Sequence, residues 1–88
     1  MNVSNLTEKS RSAVQAVFVD VLGVDPGVDW STVKYQEVDG WDSLAHMAIV
    51  ADLEERFGIM LDVDDVLDMS SYERALEILA EYGVDTTA

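Results

Sequence analysis

The chain contains no cysteine. Its own side chains therefore supply no disulfide, no thiolate metal site and no thiol nucleophile. Bases are scarce: five Lys and Arg stand against eighteen Asp and Glu, a formal charge of −13 over 88 residues. A surface of that sign repels nucleic acid and anionic membranes and attracts basic patches on other proteins. Large aromatics are few, with two Phe and two Trp, so the core is expected to be mostly aliphatic. His46 is the only histidine, which leaves one imidazole for any acid–base chemistry. No charged segment leading into an apolar run opens the sequence, and no run approaches membrane-spanning length. A cytoplasmic location is expected.

What is present is ample apolar material, 49% of residues, enough for one small domain over 1–88 with a single modest core. Val14, Val17, Phe18, Val21 and Leu22 recur at helical spacing, which predicts a first helix from about Thr7 to Leu22, capped by Thr7 or Asn5 and closed by Gly23. Residues 1–6 and 84–88 are expected to be loose. A long connection follows, with a turn signature at Asp25-Pro26-Gly27. Such a loop packs through its own side chains, here Val28, Trp30, Val33, Tyr35 and Val38. Trp30 and Trp41 either anchor this loop or contact a substrate or partner.

The stretch Asp39-Gly40-Trp41-Asp42-Ser43-Leu44-Ala45-His46-Met47 opens the most strongly patterned segment, a helix predicted from Ser43 to Phe57 and stopping at Gly58. Asp42 suits its N-cap. Ser43 then stands at the positive end of the helix dipole, where a phosphate on its oxygen is favoured. The helix carries two apolar sets: Ile49, Val50, Leu53 and Phe57 on one side, and Leu44, Met47, Ala48 and Ala51 along another line. Either the helix is buried all round or the second set has a client outside the core. Farther on, Leu61 to Met69 alternates acids with apolar residues and predicts a short third helix with Val66, Leu67 and Met69 inward. Ser70-Ser71-Tyr72-Glu73 reads as a capping box with Ser70 at the N-cap and Glu73 at N3. The helix it opens runs to about Tyr82, burying Tyr72, Ala75, Leu76, Leu79 and Tyr82, and Gly83 ends it. The expected architecture is all-α: a four-helix bundle of three longer helices and one short one, with a long loop between the first two.

Asp42-Ser43-Leu44, continued by Ile49-Val50, Leu53-Glu54-Glu55 and Phe57-Gly58-Ile59, resembles the attachment site and second helix of the acyl carrier protein family. The resemblance implies that Ser43 receives 4'-phosphopantetheine from coenzyme A, through a magnesium-using phosphopantetheinyl transferase. The arm's thiol, the sole one on the molecule, would hold acyl, aminoacyl or peptidyl groups as thioesters. The chain would thus be a carrier and not an enzyme, a monomer served by loading ligases or acyltransferases, synthases and tailoring enzymes with basic docking patches, and binding neither nucleic acid nor membrane. The resemblance further implies a partner surface of Asp42, Leu44, Met47, Asp52, Glu54, Glu55 and Met69. Ala45 and Ala48 stand where fatty-acid carriers often have acids, and Arg56 interrupts the acidic run. These departures point to a dedicated polyketide, lipopeptide or other specialised pathway.

Three rivals belong to other classes. Asp62, Asp64 and Glu73 fall at positions 1, 3 and 12 of an EF-hand loop, but Val66 holds position 5 and Leu67 stands where glycine is needed. A Ser43–His46 dyad has workable i, i+3 spacing, yet no Gly-x-Ser-x-Gly elbow and no orienting acid, so His46 is expected to face solvent or a partner. A plain helical adaptor would make no use of the Ser43 hydroxyl.

Overall fold

The computed structural model describes residues 3–86, with side chains from Ser10 onward. Four α-helices succeed one another: α1 (Val3–Leu22), α2 (Ser43–Phe57), α3 (Val63–Asp68) and α4 (Tyr72–Glu81), with a 3-10 turn at Trp30–Thr32 in the long connection. Among the described residues there is no strand, only an isolated antiparallel bridge between Lys34 and Ser71. The expected all-α bundle of three longer helices and one short one is what forms.

The helix α1 starts earlier than its apolar stripe. Val3 to Leu6 contain neither glycine nor proline to stop the helix running back, and Asn5 and Thr7 lie within it, not at its start. The looseness expected of Met1, Asn2, Thr87 and Ala88 lies outside the described residues. At the other end of the chain the expected loose tail is docked as far as Thr86. Gly83 takes φ +90°, a left-handed conformation natural only to a residue without Cβ. That lets its N–H reach Ala80 O at 3.1 Å and lets the Val84 N–H reach Leu79 O at 3.0 Å, a Schellman closure. Thr86 Oγ1 then donates to Leu76 O at 3.3 Å.

The core joins Val14, Val17 and Phe18 of α1, Ile49, Val50 and Leu53 of α2, and Tyr72, Ala75, Leu76, Ile78 and Leu79 of α4, with Val33, Trp41, Leu61 and Met69 from the connections. It is mostly aliphatic by number, yet its three largest fully buried side chains are Trp41, Tyr72 and Phe18. The few aromatics converge. Phe18 meets Trp41 at 5.2 Å, Tyr72 at 5.5 Å and Trp30 at 6.4 Å, each edge-on, a geometry that adds to simple burial. Trp30 and Trp41 are thus both anchors of the long loop.

That loop is also fastened by its backbone. Val28 N–H closes the predicted turn onto Asp25 O at 2.9 Å, and Asp25 Oδ1 accepts from the Gly27 N–H at 2.8 Å. Asp29 accepts from both the N–H and the hydroxyl of Ser31, at 3.1 and 2.7 Å. Those bonds hold its carboxyl below the usual carboxylate range. Tyr35 N–H donates to Ser70 O and Tyr72 N–H to Val33 O, both at 2.9 Å. Because Ser70 is occupied in this way, the cap of α4 falls one residue later than expected. Ser71 Oγ accepts from the Arg74 N–H at 2.9 Å, so Glu73 is not at N3 and no reciprocal box forms.

In α3, Val63 and Leu67 lie one helical turn apart and face outward, 73% and 78% exposed. The expectation that Leu67 points inward is therefore corrected: in a helix of six residues only the opposite line, Val66 and then Met69, can reach the bundle. Tyr82, expected in the core, is half-buried. Its hydroxyl instead clamps the start of α3, accepting from the Asp62 N–H at 3.0 Å and donating to Asp65 Oδ2 at 2.6 Å.

Candidate functional site

The helix α2 begins where Asp42 sits in extended backbone and its Oδ1 accepts from the Ala45 N–H at 2.9 Å. This satisfies one of the helix's orphan donors. The N–H groups of Ser43 and Leu44, which have no intrahelical acceptor, remain at the positive end of the dipole. Ser43 is the first residue of the helix and is exposed. The far end closes at Gly58, with φ +63° and its N–H on Glu54 O.

Ile49, Val50 and Leu53 are buried and Phe57 is half-buried, whereas Leu44 is 82% and Met47 54% exposed. Of the two apolar sets, the first faces the core and the second does not. Ala48 and Ala51 share the exposed side.

Beside Ser43 opens a cavity of about 240 Å³, walled by Tyr35, His46 and Met47 on one side and by Val66, Leu67, Met69 and Ser70 on the other. It lies between α2 and α3. Tyr35, expected only as a loop anchor, is a site residue: its hydroxyl is 3.2 Å from Ser43 Oγ. A tyrosine in an apolar loop pattern gives no hint of this, because the contact needs the loop to fold back over the start of α2.

His46 is not the solvent- or partner-facing residue that was expected. Trp41 Nε1–H donates to its Nδ1 at 3.0 Å. Since indole nitrogen can only donate, the imidazole proton resides on Nε2, which donates to Val66 O at 2.7 Å. Both ring nitrogens are committed, and Ser43 Oγ is bonded to a phenol instead. The geometry is that of a strut between α2 and α3, not of a nucleophile–base pair.

The acids expected to meet partners divide. Asp42 and Glu55 are exposed. Asp52 binds Arg56 at 3.0 Å, and Arg56 also lies 3.6 Å from Asp20. Glu54 is engaged by the fold, its Oε2 accepting from the Leu61 N–H at 2.8 Å. Met69 is 1% exposed, so it forms the cavity floor and offers a partner no surface. On its α3 side the cavity is lined instead by the exposed Leu67. Asp62, Asp64 and Glu73 do not converge, and no cluster of three acids or histidines suited to a metal occurs among the described residues.

An exposed hydroxyl at a helix start, on the wall of an apolar cavity, fits a phosphodiester-linked arm: the oxygen is accessible, backbone donors of the first helical turn lie next to it, and the cavity offers room for a chain. No helix among the described residues is long and apolar enough to cross a membrane. No solved structure matches the chain. The family model for the phosphopantetheine attachment site matches residues 12–79, which takes in α1 from its second half, the whole long loop, α2, α3 and most of α4. Members of that family carry 4'-phosphopantetheine covalently, are not themselves catalysts, and work with phosphopantetheinyl transferases and synthases. The chain belongs to the phosphopantetheine attachment site family and is a carrier protein of the acyl carrier type.

Proposed function

We propose that Ser43 is the residue that bears the arm, and that the chain presents acyl intermediates, or aminoacyl ones, to the enzymes of a dedicated polyketide, lipopeptide or fatty-acid-like pathway. The observation that carries this is the position of Ser43: exposed, at the first turn of α2, beside the cavity between α2 and α3. A phosphopantetheinyl transferase directs the Ser43 hydroxyl onto the β-phosphorus of coenzyme A. The Oγ–P bond forms, the bond to adenosine 3',5'-bisphosphate breaks, and the serine proton passes to a base of the transferase. This chain contributes position and an anion-tolerant helix end; the attached thiol supplies the thioester chemistry.

Docking falls to the exposed Leu44 and Met47 flanked by Asp42 and Glu55, a pattern that suits an apolar patch ringed by Lys and Arg. Met47 is adaptable enough to serve successive partners. The dedicated pathway is favoured by Ala45 and Ala48, the latter exposed, where acids would recruit fatty-acid enzymes. Incubation with coenzyme A and a broad-specificity transferase, followed by intact-mass spectrometry, tests the assignment. Addition of one phosphopantetheine to the native chain and none to Ser43→Ala is expected; equal addition to both would refute it. Loading with candidate acyl and aminoacyl donors then separates the two cargo classes.

A further inference from the structure

We propose that Tyr35 is the positioning residue of this site: its hydroxyl holds Ser43 Oγ before the arm is attached and afterwards donates to the root of the phosphodiester, turning the arm toward the cavity. The inference rests on Ser43 being the attachment residue, and concerns how that residue is held.

The phenol is placed by the fold and not by the serine. Its ring packs edge-on against Trp41 at 5.9 Å and against His46 at 5.3 Å, and Tyr35 N–H is tied to Ser70 O at 2.9 Å. The next residue, Gln36, is held at φ +65°, a conformation a side chain disfavours, with its N–H on Trp41 O at 3.2 Å. Four separate contacts thus bring one hydroxyl within 3.2 Å of Ser43 Oγ. Removing that hydroxyl would leave the four contacts intact.

The chemistry gives the contact a direction. A serine oxygen has two lone pairs and one proton. With Tyr35 as donor, one lone pair is occupied, the other is left to attack phosphorus, and the serine proton is left for the transferase's base. Once the Oγ–P bond exists, that oxygen has no proton. The phenol then has only donation open to it, to the ester oxygen or to a charged oxygen beside it, and a donor to an anion is worth more than a neutral pair. Because Tyr35 and Ser43 wall the same cavity, the bond pulls the arm's root toward the mouth between Met47 and Leu67.

Tyr35→Phe keeps the ring and deletes the hydroxyl. Native protein, Tyr35→Phe and Ser43→Ala are to be compared for loading kinetics, and the loaded forms by ³¹P NMR. Tyr35→Phe is expected to load to completion with kcat lowered about three- to tenfold, the range of one hydrogen bond, and KM for the carrier little changed. Its phosphodiester resonance is expected to be displaced from the native one. A second measurement needs no variant: the Tyr35 ring ¹³Cζ resonance of native protein should shift on loading. Coincident ³¹P resonances with unchanged kcat, or a ¹³Cζ signal indifferent to loading, would overturn the role of Tyr35 while leaving Ser43 in place. Failure of the native chain to load at all would instead remove the attachment assignment, and this role with it.

Discussion

The indole N–H of Trp41 donates to Nδ1 of His46 across 3.0 Å, and this one bond decides the tautomer of the chain's single histidine. It makes Trp41 the inner end of a relay that continues through Nε2 to Val66 O at 2.7 Å. The loop before α2 and the helix after it are thereby linked through a side chain of α2.

Substituting Trp41→Phe preserves an aromatic ring in the core but strands the Nδ1 lone pair in partly buried surroundings. The expected cost is about 1–3 kcal/mol, that of an orphaned acceptor. It should appear as a lower urea midpoint with an unchanged slope. A shift under about 0.5 kcal/mol, the range of an inert surface change, would mean the relay carries no weight.

Leu67 in the last turn of α3 and Met69 just past its end face opposite ways, 78% and 1% exposed. Met69→Ala should cost about 2–5 kcal/mol, as for other buried truncations, whereas Leu67→Ser should stay within about 0.5 kcal/mol. The same denaturation series checks both, and similar losses at the two positions would contradict this orientation of α3.

Most of the helical frame was legible beforehand, since a period of 3.6 residues names the inward face of α1 and α4 directly, whereas α2 showed two apolar lines and its pattern alone did not choose between them. Asp42, Ser43 and Gly58 were legible for a different reason: caps and stops are local chemistry. What escaped depended on contacts across the fold. Leu67 and Met69 could not be sorted in a helix too short to show a period. Ser70 lost the cap of α4 to Ser71 because a loop 35 residues earlier in the chain had claimed its carbonyl. Tyr35 and His46 took their places through that same loop, and only the folded chain shows it.

Glu54 illustrates an acid taken for partner binding that serves the fold. Glu54→Gln keeps a side-chain acceptor for the Leu61 N–H, and Glu54→Ala removes it. The alanine variant should lose about 1 kcal/mol and show faster amide hydrogen exchange at Leu61, with the glutamine variant close to native. Unchanged exchange at Leu61 in the alanine variant would return Glu54 to the docking surface.

Tyr82 gives the fold an alkaline limit. Donation to Asp65 raises its phenol above the ordinary value, partly countered by the bond from the Asp62 N–H. The folded state therefore keeps the proton at a pH where the unfolded chain releases it. The stabilisation is fully present below the free phenol's range, near pH 10, and is lost as pH rises through the folded value. Native protein and Tyr82→Phe compared by thermal melting should differ at neutral pH and converge above that range. A difference that persists at high alkalinity would place the effect elsewhere.

The Lys34–Ser71 bridge bears on how such carriers can be recombined. It stitches together two points of the chain separated by the whole of α2 and α3, so one wall of the cavity is owned by sequence outside those helices. A chimaera that transplants only Ser43 to Asp68 would leave behind Tyr35, the phenol that faces the serine here. A segment cut at 33–72 would keep Lys34, Tyr35 and Ser71 together with the helices they frame, so that both halves of the bridge travel as one piece.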